Sequence, residues 1–284
     1  MTKFIEEPIV KNFPIEFFGT IYSDTSSLAI NQRKDQFCPY IQRECTKPRK
    51  SEPHIKIGIC SVGYKGFLPE YKPNIICPHR FLEKNLFADI KNFFVPNWKN
   101  THVVSEVSMG SGGSVDYVLY TKDEENINDF LCVELQANGT TGSPYNYTLE
   151  LLKDKKYSGN SYIYGLNWAN EFSKTMMQQA YKKGKIATVW NKKIVFIIQN
   201  VAMEYLQKSM NCSNLRQDKN DHIHFLMFKM VWSEQKSKYN LEIDSWYSTD
   251  VDGISVMLGG GMEDAYPTQQ QFIKVIERRE NASL

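Results

Sequence analysis

Asp116, Glu134 and Gln136 are spaced so that one fold element could bring them to a single point. Residues 115–120 (VDYVLY) and 130–135 (FLCVEL) are two β-forming runs separated by the charge- and Asn-rich stretch 122–128, the pattern of a β-hairpin. In the second run Cys132, Glu134 and Gln136 alternate with Leu131, Val133 and Leu135. Glu134 and Gln136 therefore share a face, and a hairpin register can set Asp116 beside them. Two carboxylates held together out of water cost several kcal/mol unless a cation neutralises them, and hard oxygen donors favour Mg²⁺. The alternative is an ordinary amphipathic hairpin with its carboxylates in water.

A second group is built of thiols. Four of the six cysteines, Cys38, Cys45, Cys60 and Cys77, fall in one Pro-rich segment, whereas Cys132 and Cys212 lie in apolar contexts and read as core residues. Where thiols are kept reduced, such a set is a metal site more often than a pair of disulfides, and four thiolates match tetrahedral Zn²⁺ or a single Fe. Six, fourteen and sixteen residues separate the four and none forms a Cys-x-x-Cys knuckle, so buried free thiols stay open. The stretches before and between them carry Arg33, Lys34, Arg43, Lys47, Arg49 and Lys50, either a solvated run or a grip for phosphates.

The elements that must position these groups can be read around them. Residues 13–18 suit a short strand or helical turn, and the many prolines of 31–80 argue against long regular elements there. Residues 79–95 carry helical apolar spacing and end before Pro96, while 137–147 is Gly-, Thr- and Asn-rich like a loop that could touch substrate. A helix is expected over 168–183 with Gly184 at its C-cap, followed by a strand buried on both faces at Lys193–Gln199 and a helix over 201–210. Two strands joined at 233–238 and a short basic helix over 268–279 close the chain, and His222 and His224 receive no role.

Composition fits a globular chain. With 284 residues, 42% hydrophobic and 23% charged, it can bury a sizeable core, and a net charge of +2 leaves any polyanion surface to local clusters of Lys and Arg. No apolar run approaches the roughly 18 residues of a membrane span, and the start lacks a signal-peptide pattern, so a cytoplasmic protein is expected.

Several separate stretches resemble the NotI family of restriction endonucleases. Asn12-Phe13 with Glu16-Phe17-Phe18-Gly19 is similar to that family's opening, and Cys38-Pro39, Gly58-Ile59-Cys60 and Cys77-Pro78-His79-Arg80 are similar to its cysteine-bearing segments. Val115-Asp116-Tyr117 with Val133-Glu134-Leu135-Gln136 resembles its active-site hairpin, and Phe172 with Gln179-Ala180-Tyr181-Lys182 resembles the helix that follows. The resemblance implies an α/β PD-(D/E)xK nuclease, a mixed β-sheet flanked by helices over 81–284. An irregular N-terminal subdomain over 1–80 would hold an iron in four cysteines. It implies a type II enzyme that hydrolyses double-stranded DNA, alongside a cognate methyltransferase; if the site is a palindrome, one hairpin per chain makes a twofold homodimer the expected working unit. Gln136 stands where this fold commonly has Lys, in agreement with the family. The chain lacks the longer insertions and basic tail of the family's namesake, which leaves the third carboxylate open between Glu106, the first choice, and Glu83.

Whatever the family, such chemistry assigns roles. Asp116 would bridge Mg²⁺ and the scissile phosphate, Glu134 would complete the coordination, and Gln136 would orient the water. A carboxamide carries no charge, so proton abstraction cannot rest on Gln136. Two other readings stand beside this one: a DNA-binding module with a structural hairpin, and a DNA-repair or RNA nuclease on the same fold.

Overall fold

A computed structural model describes residues 14–49, 52–83, 85–142, 144–154, 165–260 and 267–281. Its backbone is a six-stranded sheet in the order β14-β13-β12-β11-β10-β9. The strands are β9 (Thr101–Ser108), β10 (Ser114–Asp123), β11 (Asn126–Leu135), β12 (Lys193–Gln199), β13 (Ile223–Ser233) and β14 (Lys238–Thr249). Two parallel pairings, β11 with β12 and β12 with β13, form the centre, and antiparallel pairings extend the sheet on both sides.

The apolar run of β12 is explained by this central place. Ile194, Phe196 and Ile198 point into one hydrophobic cluster and Val195 and Ile197 into the other, on the two faces of the sheet. The first face is covered by α4 (Met177–Trp190), α5 (Asn200–Ser209) and α6 (Val251–Met257), through residues such as Met177, Ala180, Leu206 and Ile254. The second is covered by α2 (Leu86–Phe94) through Leu86, Ile90 and Phe94.

The N-terminal part is more regular than its prolines suggest. Strands β1 (Pro14–Phe17), β2 (Thr20–Ile21), β7 (Ile59–Tyr64) and β8 (Lys72–Ile75) form a four-stranded sheet in the order β2-β1-β7-β8. Between them lie α1 (Ser27–Lys34) and two small hairpins, β3 (Phe37–Cys38) with β4 (Arg43–Glu44) and β5 (Pro48–Arg49) with β6 (Glu52–Lys56). Phe17, Phe18 and Val62 join the cluster that contains Phe196 and Met203, so this part shares its core with the large sheet.

Other departures from the sequence reading have local causes. The helix expected over 79–95 is split, because a 3₁₀ turn at Pro78–Leu82 gives way at Glu83, whose backbone turns extended, before α2 begins. Helix α3 (Tyr145–Asp154) takes over the end of the expected loop. Gly184 does not cap α4: the helix runs through it to Trp190, and Asn191 in the left-handed region is the cap. Gly184 is there for packing, since a Cβ would lie 2.3 Å from the Ile223 side chain. Helix α7 (Gln269–Asn281) is exposed over residues 269–280. Among the described residues no helix is long and apolar enough to cross a membrane.

Candidate active site

The β10–β11 hairpin has the register that joins the two carboxylates. Tyr117 pairs with Val133 and Val118 with Cys132, so Asp116 stands opposite Glu134 on the face covered by α4. Asp116 Oδ2 accepts a hydrogen bond from the Leu135 N–H at 2.8 Å, and the Asp116 N–H in turn reaches the Glu134 carboxylate. Glu134 is 6% exposed. Its carboxyl is raised to about 7, chiefly by burial and further by the Asp116 carboxylate, against the pull of the Lys183 ammonium.

Lys183 was not singled out from the sequence. Its Nζ donates to Glu134 Oε1 at 2.6 Å, to the Ser114 carbonyl at 2.7 Å and to Gln179 Oε1 at 3.5 Å. The signal was present: Met176, Ala180, Lys183 and Ala187 form one buried stripe at helical spacing, and a lysine inside such a stripe needs an anion.

Gln136, just beyond the end of β11, donates through Nε2 to the Ala137 carbonyl at 3.2 Å and to Glu171 Oε2 at 3.4 Å. Glu171 also escaped the sequence reading. It rides on a π-helical segment, Ala169–Met176, that leads into α4, and π-helical turns occur often at functional sites. Gly139 lets it approach, since a Cβ there would lie 2.5 Å from Glu171 Oε1. Gln136, Asn138, Thr140 and Glu171, with Lys47 and Pro78 opposite, line a cleft of about 350 Å³. Lys47 is tethered by its Nζ to the Ile76 carbonyl at 2.9 Å. His79 lies in the combined field of Lys47, Arg43 and Asp116; its imidazole is pushed below the usual range, chiefly by burial and then by the two cations. The cysteine-bearing segment thus delivers positive charge to the Asp116 end of the hairpin.

The two candidates for a third carboxylate are placed differently. Glu106 lies on β9 between the pairs Val115↔Val107 and Tyr117↔Ser105, hence across from Asp116; it is exposed, with φ of 54°. Glu83 is engaged elsewhere, accepting from Arg80, from Lys238 Nζ at 2.8 Å and from the Leu241 N–H at 3.2 Å.

Cys38, Cys45, Cys60 and Cys77 are all buried and free. Backbone N–H groups approach three of the sulfurs: those of Ile41 and Tyr40 at Cys38, of Lys47 and Gly58 at Cys45, and of Gly19 at Cys60. Burial raises the Cys38, Cys45 and Cys60 thiols, and each feels at least one neighbour of the group, Cys77 in every case. Among the described residues no three His, Cys, Asp or Glu side chains are gathered as a ready-made cation cage, at the thiols or at the hairpin.

No curated protein matches the chain. Residues 24–241 match the family model described as Restriction endonuclease NotI, a span that takes in all four cysteines, the carboxylate hairpin and α4. The chain belongs to that family and is a type II site-specific deoxyribonuclease, a DNA-binding hydrolase that cleaves at a specific sequence.

Proposed function

From membership of the NotI restriction endonuclease family, we propose that the β10–β11 hairpin is the centre of a Mg²⁺-dependent phosphodiester hydrolase of the PD-(D/E)xK type, acting on a palindromic site in duplex DNA. The observation that carries this reading is the facing pair Asp116 and Glu134 with Gln136 two residues on. Two carboxylates in register, one of them buried, are a hard-oxygen donor set that water and a phosphate oxygen would complete around Mg²⁺. When bound, the ion supplies charge for the phosphorane-like transition state and lowers the pKa of water.

The remaining work falls to the chain's own groups. Half-buried Asp116, near the start of β10, and buried Glu134 would together hold the cation, with Asp116 the one also accessible to the scissile phosphate. Gln136 orients the attacking water and donates to a phosphate oxygen, its orientation tuned by Glu171. Lys47 and Arg43 draw the backbone phosphates toward the cleft, and Glu106 across from Asp116 is the third carboxylate. Exposed polar side chains beyond β11, Thr141 of the loop and Asn146 at the start of α3, are suited to base edges in the major groove, whereas Asn138 is buried.

Four buried thiols, three of them met by backbone N–H groups, have the donor chemistry for Fe or Zn²⁺, and a metal that drew them together would order the loops that carry Arg43 and Lys47. We assign residues 1–80 to this metal-bearing part and 81–284 to the nuclease part. Cleavage of both strands of a palindrome needs two equivalent hairpins, hence a twofold dimer. A cytoplasmic setting with a cognate methyltransferase completes the picture. Incubation of a plasmid of known sequence with protein and Mg²⁺, followed by end sequencing, tests it: one recurrent palindromic site cut on both strands is expected. Random nicks or RNA cleavage would favour the repair-type alternative instead.

A further inference from the structure

The reading above leaves a buried cation unexplained. Gln136 brings no charge to the hairpin, yet an ammonium lies at the site, carried in from α4 rather than from the strand. We propose that Lys183 is a positioning residue that replaces the charge missing at Gln136 and fixes the separation of the two hairpin carboxylates.

The geometry supports this in three steps. First, Lys183 spends its donors on three elements at once: Glu134 Oε1 on β11, the Ser114 carbonyl on β10 and Gln179 on its own helix. Ser114 is two residues before Asp116, so one ammonium ties the backbone that presents Asp116 to the side chain of Glu134. Second, the residue is 4% exposed and all its contacts are internal, so it acts through Glu134 and not on the phosphate. Third, its anion is shared in a way that a closed structural pair is not. Asp116 stands opposite Glu134 in the hairpin register and is held there by the Leu135 N–H, so one ammonium faces two carboxyl groups. One added divalent ion at that place would meet the excess, whereas removal of Lys183 leaves the two carboxylates free to repel and turn apart.

This inference rests on the nuclease reading, and the experiment keeps the two apart. Single-turnover cleavage of duplex DNA is measured against Mg²⁺ concentration for the wild type, D116A, K183Q and Q136K/K183Q, with thermal melts alongside. A wild type that cuts and a D116A protein that does not leave the nuclease reading standing whatever Lys183 does. K183Q is expected to fold and to lose about 10- to 100-fold in rate or in apparent Mg²⁺ affinity, the usual scale for a partner that orients a metal ligand. A lysine returned to the strand in Q136K/K183Q is expected to recover most of that loss, an outcome that a purely structural cation would not give. Folded K183Q with wild-type rate and Mg²⁺ dependence overturns the inference, as does a folded double variant no better than K183Q. Should K183Q fail to fold, the double variant decides alone: folded and cutting supports it, folded and inert overturns it.

Discussion

Two buried carboxylates in this protein, Glu16 and Glu134, differ in what surrounds them. Glu16, 1% exposed in the four-stranded sheet, accepts from Arg80 with both oxygens, Nε to Oε2 at 2.9 Å and Nη2 to Oε1 at 3.0 Å, and from the Ser61 hydroxyl at 2.7 Å. Arg80 then continues to Glu83 and the Tyr239 carbonyl. Glu134, 6% exposed in the six-stranded sheet, has one cation on one oxygen and a second carboxylate beside it. Burial of charge is common to both, so burial alone does not mark function. What separates them is closure: around Glu16 a bidentate guanidinium matches the carboxylate, while around Glu134 a single ammonium reaches one oxygen and a second carboxyl group stands beside it, the opening that the proposed metal site would use.

The largest expected effects separate the two by type. D116A or E134A is expected to lose about a thousandfold or more in cleavage rate, in line with removal of groups that stabilise transition-state charge, while duplex binding in Ca²⁺ and the melting temperature stay near wild type. A protein with either substitution that cuts at the wild-type rate would erase the functional half of the comparison. R80M should do the reverse. It strands Glu16 in the core and is expected to cost about 3–5 kcal/mol of stability, read by denaturant unfolding, with little change in the rate per folded molecule. A stable R80M would deny that the Glu16 network is structural.

Smaller effects sharpen the boundary of the site. G139A places a methyl against Glu171 and should push it from Gln136, for a loss of about tenfold in rate at unchanged fold, a 1.4 kcal/mol effect. Unchanged kinetics would remove Glu171 from the account. His224 marks the far side of the sheet. It is fully buried against Phe94 and Trp246, with Nε2 on the Asp221 carbonyl at 2.7 Å, and Lys193, Asp221 and His222 are the charged or titratable groups around it. Burial holds its imidazole down to about 4 from 6.5. The unfolded chain therefore takes up the proton first, so this stabilisation is complete above pH 6.5 and is lost as pH falls toward 4. H224F should flatten the acid-side stability curve within that window and change little at pH 7; an unchanged curve would contradict the burial argument.

Much of this was legible because strands have a period of two. The alternation around Cys132, Glu134 and Gln136 fixes which side chains share a face, and the same rule made β12 recognisable as a central strand. Long-range partners were not legible. Lys183 looked like one basic residue among several on α4, and its meaning depends on a strand 49 residues away. Gly184 was misread because a glycine near a helix end is usually a cap, whereas here Ile223 requires the space. The sequence put Glu106 ahead of Glu83 without a partner for either; the fold adds that Glu83 is taken up by Arg80 and Lys238 while Glu106 lies across from Asp116.

The proposed function turns on a divalent ion shared between Asp116 and Glu134. A crystal structure of the protein with a cognate duplex and Ca²⁺, which supports binding without turnover, tests it most directly. The account predicts a cation ligated by both carboxylates and by a non-bridging oxygen of the scissile phosphate, with Lys183 still on Glu134. Duplex bound with that phosphate away from the hairpin, or the two carboxylates without a cation between them, would contradict it.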